Sequence, residues 1–251
     1  MMKKIDLNCD MGESFGAWKM GDDAAIMPYV TSANIACGFH AGDAHTMRHT
    51  MQLALQQGVR PGAHPGLDDI RGFGRRPFAL TPIQVYDLVV VQIGALAAVA
   101  RAQGGRLYHV KAHGALYNMS ANHAELAAAI AQAVRDVDPQ LTLFALAGSR
   151  QVDIARGLGL TVMQEVFADR SYQDDGTLTP RNQPGALIEE VETSVSQALT
   201  MVQEGYVIAQ SGKKVPIQAD TLCLHGDGAH ALAFARQIHA AFQKEGLLMA
   251  H

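Results

Sequence analysis

Seven times along the chain a short apolar run gives way to a longer amphipathic stretch, and at six of those seven junctions the sequence turns polar at once. The β-like runs cover 4–9, 31–36, 59–63, 107–111, 141–145, 161–166 and 221–225. Helical patterns cover 22–28, 43–57, 81–103, 123–136, 149–158, 184–204 and about 228–244. Strands that alternate with helices imply right-handed βαβ crossovers and a parallel sheet, either open and doubly wound or closed as a barrel. Thr81-Pro82 reads as a helix N-cap followed by its first residue, and Gly58, Gly104 and Gly205 read as helix stops. Residues 206–218, with Ser211-Gly212 in the middle, read as a β-hairpin inserted before the last core strand. No low-complexity linker interrupts this alternation, so 1–251 is read as a single domain.

The carboxyl ends of parallel strands face one rim, so polar groups placed there converge from distant parts of the sequence. Those ends supply Asn8-Cys9-Asp10-Met11-Gly12-Glu13, the stretch from His40 to His45, His64-Pro65-Gly66, Lys111-Ala112-His113-Gly114, Asp169-Arg170 and His225-Gly226-Asp227-Gly228. The fifth run, which ends in Ala145-Leu146-Ala147-Gly148, supplies nothing. Of the 11 histidines, five fall on this predicted rim: His40, His45, His64, His113 and His225. The densest stretch is 34–45, where His40, Asp43 and His45 fall within six residues around Gly38 and Gly42. Imidazoles beside a carboxylate are parts for acid/base chemistry or metal binding. Asp43 is also placed to cap the helix that follows. His45 and His49 have the i, i+4 spacing of a metal pair but lack the glutamate that follows the first histidine of a metalloprotease helix. His49, His123, His230 and His239 are read as helix-surface or cap residues.

A net charge of −4 and a pI near 6.2 leave no basic face, which excludes nucleic acid and anionic membrane as partners. The longest apolar run, 88–100, is broken by Gln92 and reads as too short to span a bilayer. Lys3 and Lys4 are soon followed by Asp6, Asp10 and Glu13, so no signal peptide is read and a cytoplasmic location is expected. Cys9, Cys37 and Cys223 are odd in number and far apart, which fits reduced thiols acting as small buried hydrophobes. Arg71-Gly72-Phe73-Gly74-Arg75-Arg76 is the one dense positive patch, with guanidinium groups suited to phosphate or carboxylate. Gly212-Lys213 has neither the upstream glycine nor the following hydroxyl of a Walker A loop.

Seven ordered blocks carry a family resemblance: 6–13, 34–45, Gly62-Ala63-His64-Pro65-Gly66, Gly72-Phe73-Gly74-Arg75-Arg76, 110–117, Glu165-Val166-Phe167-Ala168-Asp169-Arg170 and Leu224-His225-Gly226-Asp227. Together they resemble the LamB/YcsF family, that of the A subunit of bacterial 5-oxoprolinase. One departure is Ala112, where the family more often carries proline. The resemblance implies an α/β fold, a distorted seven-stranded parallel β/α barrel similar to the glycoside hydrolase/deacetylase group. It also implies ATP-dependent opening of 5-oxo-L-proline to L-glutamate together with two other 5-oxoprolinase subunits, with ATP as cosubstrate and its Mg2+, and with no organic prosthetic group. On this reading His40, His45 and Asp10 form an acid/base cluster oriented by Asp43 and Glu13, with His64 on the same rim. Lys111 and His113 neutralise developing charge, and His225 and Asp227 close the pocket. Arg75, Arg76, Asp169 and Arg170 hold phosphate or carboxylate, and no protein metal site is assigned.

Two other readings stay open. One is a divalent-metal deacetylase of a carbohydrate or other N-acyl substrate, with Asp10, His40 and His45 as ligands. The other is a non-catalytic ligand-binding subunit, which the missing Walker A favours.

Overall fold

The computed structural model describes residues 4–224 and 231–249. Its centre is a closed barrel of seven parallel strands in the order β1 (Asp6–Met11), β2 (Ser32–Ala36), β3 (Arg60–His64), β4 (His109–Lys111), β5 (Thr142–Leu146), β6 (Val162–Phe167) and β9 (Thr221–Leu224). The last strand pairs with both β6 and β1, which closes the ring and leaves this sheet without a free edge. Every expected strand is present, with ends shifted by at most two residues. The expected hairpin is also present, β7 (Tyr206–Ile208) antiparallel to β8 (Lys214–Pro216), as a separate two-stranded sheet.

Helices form the outer layer: α1 (Asp23–Ile26), α2 (Ala44–Gln57), α3 (Pro82–Ala102), α4 (Gly114–Asn122), α5 (Ala124–Val137), α6 (Arg150–Gly157), α7 (Val191–Leu199) and α8 (Ala231–Lys244). Their starts follow from local chemistry. Thr81 and Gln84 form a reciprocal capping box at α3, and Asp43 accepts from Thr46 N at α2. Gly58, at φ 70°, takes the left-handed conformation that ends α2 and turns the chain into β3.

α3 has 21 residues and is apolar enough by length and composition to cross a membrane, although the apolar run 88–100 within it reads as too short to span a bilayer. It packs on α2, α5 and β3, with Val85, Val89, Ile93, Leu96 and Ala100 fully buried in the core and Ile83 and Val91 exposed on its outer side.

Two departures from the expected helices concern the rim. α4 stands where the sequence pattern reads as loop, because Ala115, Leu116, Tyr117, Ser120 and Ala121 are buried on several sides and no single apolar stripe marks it. The helix expected over 184–204 begins only at Val191 and continues as wider turns over Thr200–Glu204. Gly185, at φ 70°, breaks the helical pattern after Pro184, and residues 171–190 are left to cross the barrel mouth.

Strand alternation sorts the side chains. Leu7, Cys9 and Met11 of β1 join the hydrophobic core, while Asp6, Asn8 and Asp10 take the other face and bond to strands across the barrel interior. Near the amino ends, Asp6 accepts from Thr31 Oγ1 at 2.7 Å, Ser32 Oγ at 2.6 Å and Thr221 Oγ1 at 2.5 Å. One level up, Asn34 Nδ2 donates to Asn8 Oδ1 at 2.7 Å, and His109 Nε2 donates to Asn34 Oδ1 at 2.7 Å. Gly62 makes room for that imidazole, since a Cβ there would lie 2.2 Å from His109 Nε2.

Candidate active site

At the carboxyl end of the same interior, Lys111 stands between two buried carboxylates. Its Nζ lies 2.8 Å from Asp10 Oδ1 and 3.1 Å from Glu165 Oε1, and it donates to Cys223 Sγ at 2.9 Å. All four side chains are buried because each belongs to a strand whose alternation turns it inward. Burial works to lower the Lys111 pKa, and the charges around it, Asp10 first, outweigh that and raise it well above the ordinary lysine value. The Cys223 thiol is pushed up by burial, despite the lysine beside it. Asn34 Nδ2 adds a donor to Asp10 Oδ1 at 2.8 Å.

Beside Asp10 lies a packed imidazole group. His64 Nε2 is 3.4 Å from Asp10 Oδ2 and 3.0 Å from His113 Nδ1. His40 stacks on His113 with ring centroids 3.8 Å apart, and His64 meets both rings edge-on. Glu13 Oε1 is 3.7 Å from both His40 Nε2 and His113 Nδ1. Burial, reinforced by the neighbouring imidazoles, lowers the pKa values of His40 and His113 well below the ordinary histidine value, so both rings are neutral near pH 7.

Glycines make this packing possible: a Cβ at Gly66 would lie 2.4 Å from His40 Nδ1, and one at Gly74 would lie 2.7 Å from His40 Cβ. The intervening Phe73 holds φ 54°, a left-handed conformation that is rare without glycine and costs roughly 1–3 kcal/mol. Its carbonyl, 2.8 Å from His113 Nε2, accepts that ring's proton.

A cavity of about 880 Å³ opens over these groups. Asp10, His64, Lys111 and His113 reach it from the barrel, Tyr117 and Asn118 from α4, and Arg170 and 173–183 from the segment across the mouth. The volume lies in the range of about 300–1,000 Å³ usual for small-molecule sites. Arg170 is held by donating to the carbonyls of Thr179 (2.6 Å) and Ala186 (3.3 Å), and burial, with Arg181 nearby, brings its pKa down to about 10. Arg75 lies over the Phe73 ring at 4.8 Å and lines the same cavity, as does Arg181.

Of the residues picked from the sequence, the structure brings together Asp10, Glu13, His40, His64, Lys111 and His113, with Arg75 and Arg170 on the cavity wall. His45 is placed elsewhere: it is exposed on α2, its ring stacked on His49. Asp10, His40 and His45 therefore do not form a ligand triad, and the deacetylase reading loses the set it named. Asp43 is occupied as a cap, accepting from Thr46 N and Gly16 N at 2.8 Å each, which holds its pKa down at about 2. Arg76 is clamped by Asp69 on the surface, outside the cavity lining. Asp169 is half-buried beside Arg170 and does not line the cavity. His225 and Asp227 lie outside the described residues.

The sequence reading missed Glu165 and Cys223 because it searched just past each strand rather than along its inner face. A carboxylate inside the otherwise apolar-rich run Val162–Phe167 was the available signal. Asn8 and Asn34 were missed as site-supporting groups for the same reason, and Tyr117 because α4 was not foreseen.

A LamB/YcsF family model matches residues 5–251. A Bordetella pertussis protein, named as the A subunit of 5-oxoprolinase, is 60% identical over 247 residues, 98% of each chain. One of the same name from Bacillus subtilis is 57% identical over 246 residues, 98% of this chain and 96% of that one. A crystal structure of a lactam utilization protein from Thermus thermophilus superposes with a TM-score of 0.93 at 46% identity, covering 98% of each chain.

Proposed function

The chain belongs to the LamB/YcsF family, and from that premise we propose that it is the A subunit of a 5-oxoprolinase. With two partner subunits it opens 5-oxo-L-proline to L-glutamate while ATP is hydrolysed to ADP and phosphate. Its relatives' names and a cavity suited to a small polar acid support this reading.

A five-membered lactam resists water because nitrogen donates into its carbonyl. Phosphorylation of the carbonyl oxygen by ATP makes that carbon electrophilic, a step we place at a site shared with the partner subunits. Water oxygen then bonds to the ring carbon, the ring C–N bond breaks with the nitrogen leaving as the amine, and a second water cleaves the acyl phosphate so formed into glutamate and phosphate.

One proton must pass from the water to that nitrogen. Asp10 carries it, since its carboxylate lines the cavity while Lys111 and Asn34 fix its other edge. Lys111 offsets the charge of Asp10 and Glu165, so a base persists in a buried wall. Arg75, Arg170 and Arg181 provide the cationic side for the phosphate and the substrate carboxylate. The buried free cysteines fit a reducing cytoplasm, where we place the protein.

The buried Asp10–Lys111–Glu165 charge group at the cavity floor is the observation that carries this reading. Mixing the chain with its two partner subunits, ATP and 5-oxoproline is expected to release glutamate and phosphate. Asp10→Asn, folded as judged by circular dichroism, is expected to slow this by about 10²–10⁴-fold. Unchanged glutamate release by that variant would remove Asp10 from the chemistry.

A further inference from the structure

We infer that Glu13, His40, His64 and His113 together bind one divalent transition-metal ion, of which zinc is the type case, at the joined carboxyl ends of β1 to β4. Each residue offers one donor atom, and the four atoms lie within 4.8 Å of one another. All four side chains are buried.

Hydrogen bonding requires a positive charge at this point. His64 Nδ1 lies 2.7 Å from the carbonyl oxygen of Lys111, and His113 Nε2 lies 2.8 Å from that of Phe73. A carbonyl can only accept, so each of these nitrogens carries a proton. In the neutral rings, His64 Nε2 and His113 Nδ1 are then both bare lone pairs, and they face each other at 3.0 Å. Two acceptors at hydrogen-bond distance repel unless a cation lies between or beside them.

A proton on His64 would relieve that one contact, but it would leave His40 unexplained. The His40 ring is 1% exposed, and neither of its nitrogens has a hydrogen-bond partner. Its Nδ1 faces Gly66, where even a Cβ would not fit, and its Nε2 points to Glu13 Oε1. One metal ion gives the three inward nitrogens a common cation, with Glu13 offering the fourth donor.

The backbone carbonyls that fix the outer nitrogens are the usual outer shell of metal-bound histidines. A tetrahedral ion with bonds of about 2.0 Å holds its ligand atoms roughly 3.3 Å apart. Separations of 3.0, 3.7 and 3.7 Å lie near that value, and because the His40 ring is stacked parallel on His113, His40 tilts to bring its Nε2 lone pair onto the ion. Three imidazoles and a carboxylate suit zinc and its neighbours rather than magnesium or calcium. Four protein donors and full burial make a closed site, so the ion binds four strand ends and the Phe73 loop together beside Asp10. This binding rests on the side chains alone and holds whether or not the lactam reading does.

The full chain, freed of metal with a chelator, is titrated with Zn2+ and with Co2+ by calorimetry and absorption. One ion per chain, four-coordinate cobalt bands and a raised Tm are expected. His40→Ala and His113→Ala are each expected to weaken binding by about 100-fold or more, because loss of an outer-shell partner alone costs about 10–100-fold. The double variant His45→Ala/His49→Ala removes the surface pair and is expected to bind as the parent does. No uptake by the parent chain, unchanged affinity in folded His40→Ala and His113→Ala, or loss confined to the surface double variant would overturn the site. Should the buried-site variants fail to fold, zinc-edge X-ray absorption on the parent chain decides: three imidazoles are expected, and one or two would refute the assignment.

Discussion

The barrel interior holds two polar storeys built from the same strands. In the lower one, Asp6 receives hydroxyl protons from Thr31, Ser32 and Thr221, each at 2.7 Å or less, and none of these residues lines the cavity. In the upper one, Asp10, Glu13, His40, His64 and His113 bring carboxylates and bare imidazole nitrogens against one another beneath open space. Both storeys are buried and both are polar; the lower has a donor for each acceptor edge of its carboxylate, whereas in the upper neither nitrogen of His40 has a hydrogen-bond partner. A satisfied network rigidifies and specifies a fold, whereas an unsatisfied one marks where a ligand or a proton belongs.

The sharpest way to break this contrast is Lys111→Met. It leaves Asp10 and Glu165 buried without their shared cation, which is expected to cost about 3–5 kcal/mol in urea unfolding. In the reconstituted complex, glutamate formation is expected to fall by about 10²–10³-fold per folded molecule, the scale set by loss of one preorganised electrostatic group. Lost stability with turnover intact would reduce the upper storey to a second copy of the lower.

Asp6→Ala tests the lower storey. Three hydroxyls lose a charged acceptor, for an expected cost of about 3 kcal/mol with turnover per folded molecule unchanged. A matching drop in turnover would show that the storeys act as one.

Asp43→Ala compares the rim cap with both. Its carboxyl is depressed from 3.8 to about 2 by the backbone N–H groups of Thr46 and Gly16, so its stabilisation is present above pH about 4 and is lost as pH falls toward 2. The variant is expected to be about 1 kcal/mol less stable near pH 7, with the gap narrowing between pH 4 and 2 in urea titrations. The smallest effect is expected for His45→Ala, with kcat/KM within about twofold of the parent, because a solvated helix residue away from the cavity supplies no transition-state contact. A large loss would return His45 to the site.

The barrel was legible because its strands are short, apolar and regularly spaced, and because Gly58 and Thr81 mark helix ends by local chemistry alone. The rim was legible in part. His64 ends β3, and His113 and His40 lie two and four residues past the ends of β4 and β2, close enough to stay on the rim. His45 is one residue into α2, and helical geometry turned it to solvent. Which face of a strand looks inward was not legible, since β1 and β9 are buried on both faces and polar alternation appears only when Asp6, Asn8 and Asp10 are set against Leu7, Cys9 and Met11. The stretch 184–190 was misread as helix because the Pro184-Gly185 pair resembles a helix start yet places Gly185 where a helix cannot continue.

The contact between Gly62 and His109 ties three strands to a common diameter. A side chain at 62 cannot coexist with the imidazole, and shrinking the imidazole strands the amide oxygen of Asn34. Widening or relining the barrel at that height is therefore a concerted change at positions 34, 62 and 109, and any library that varies one of them alone will sample mostly broken molecules.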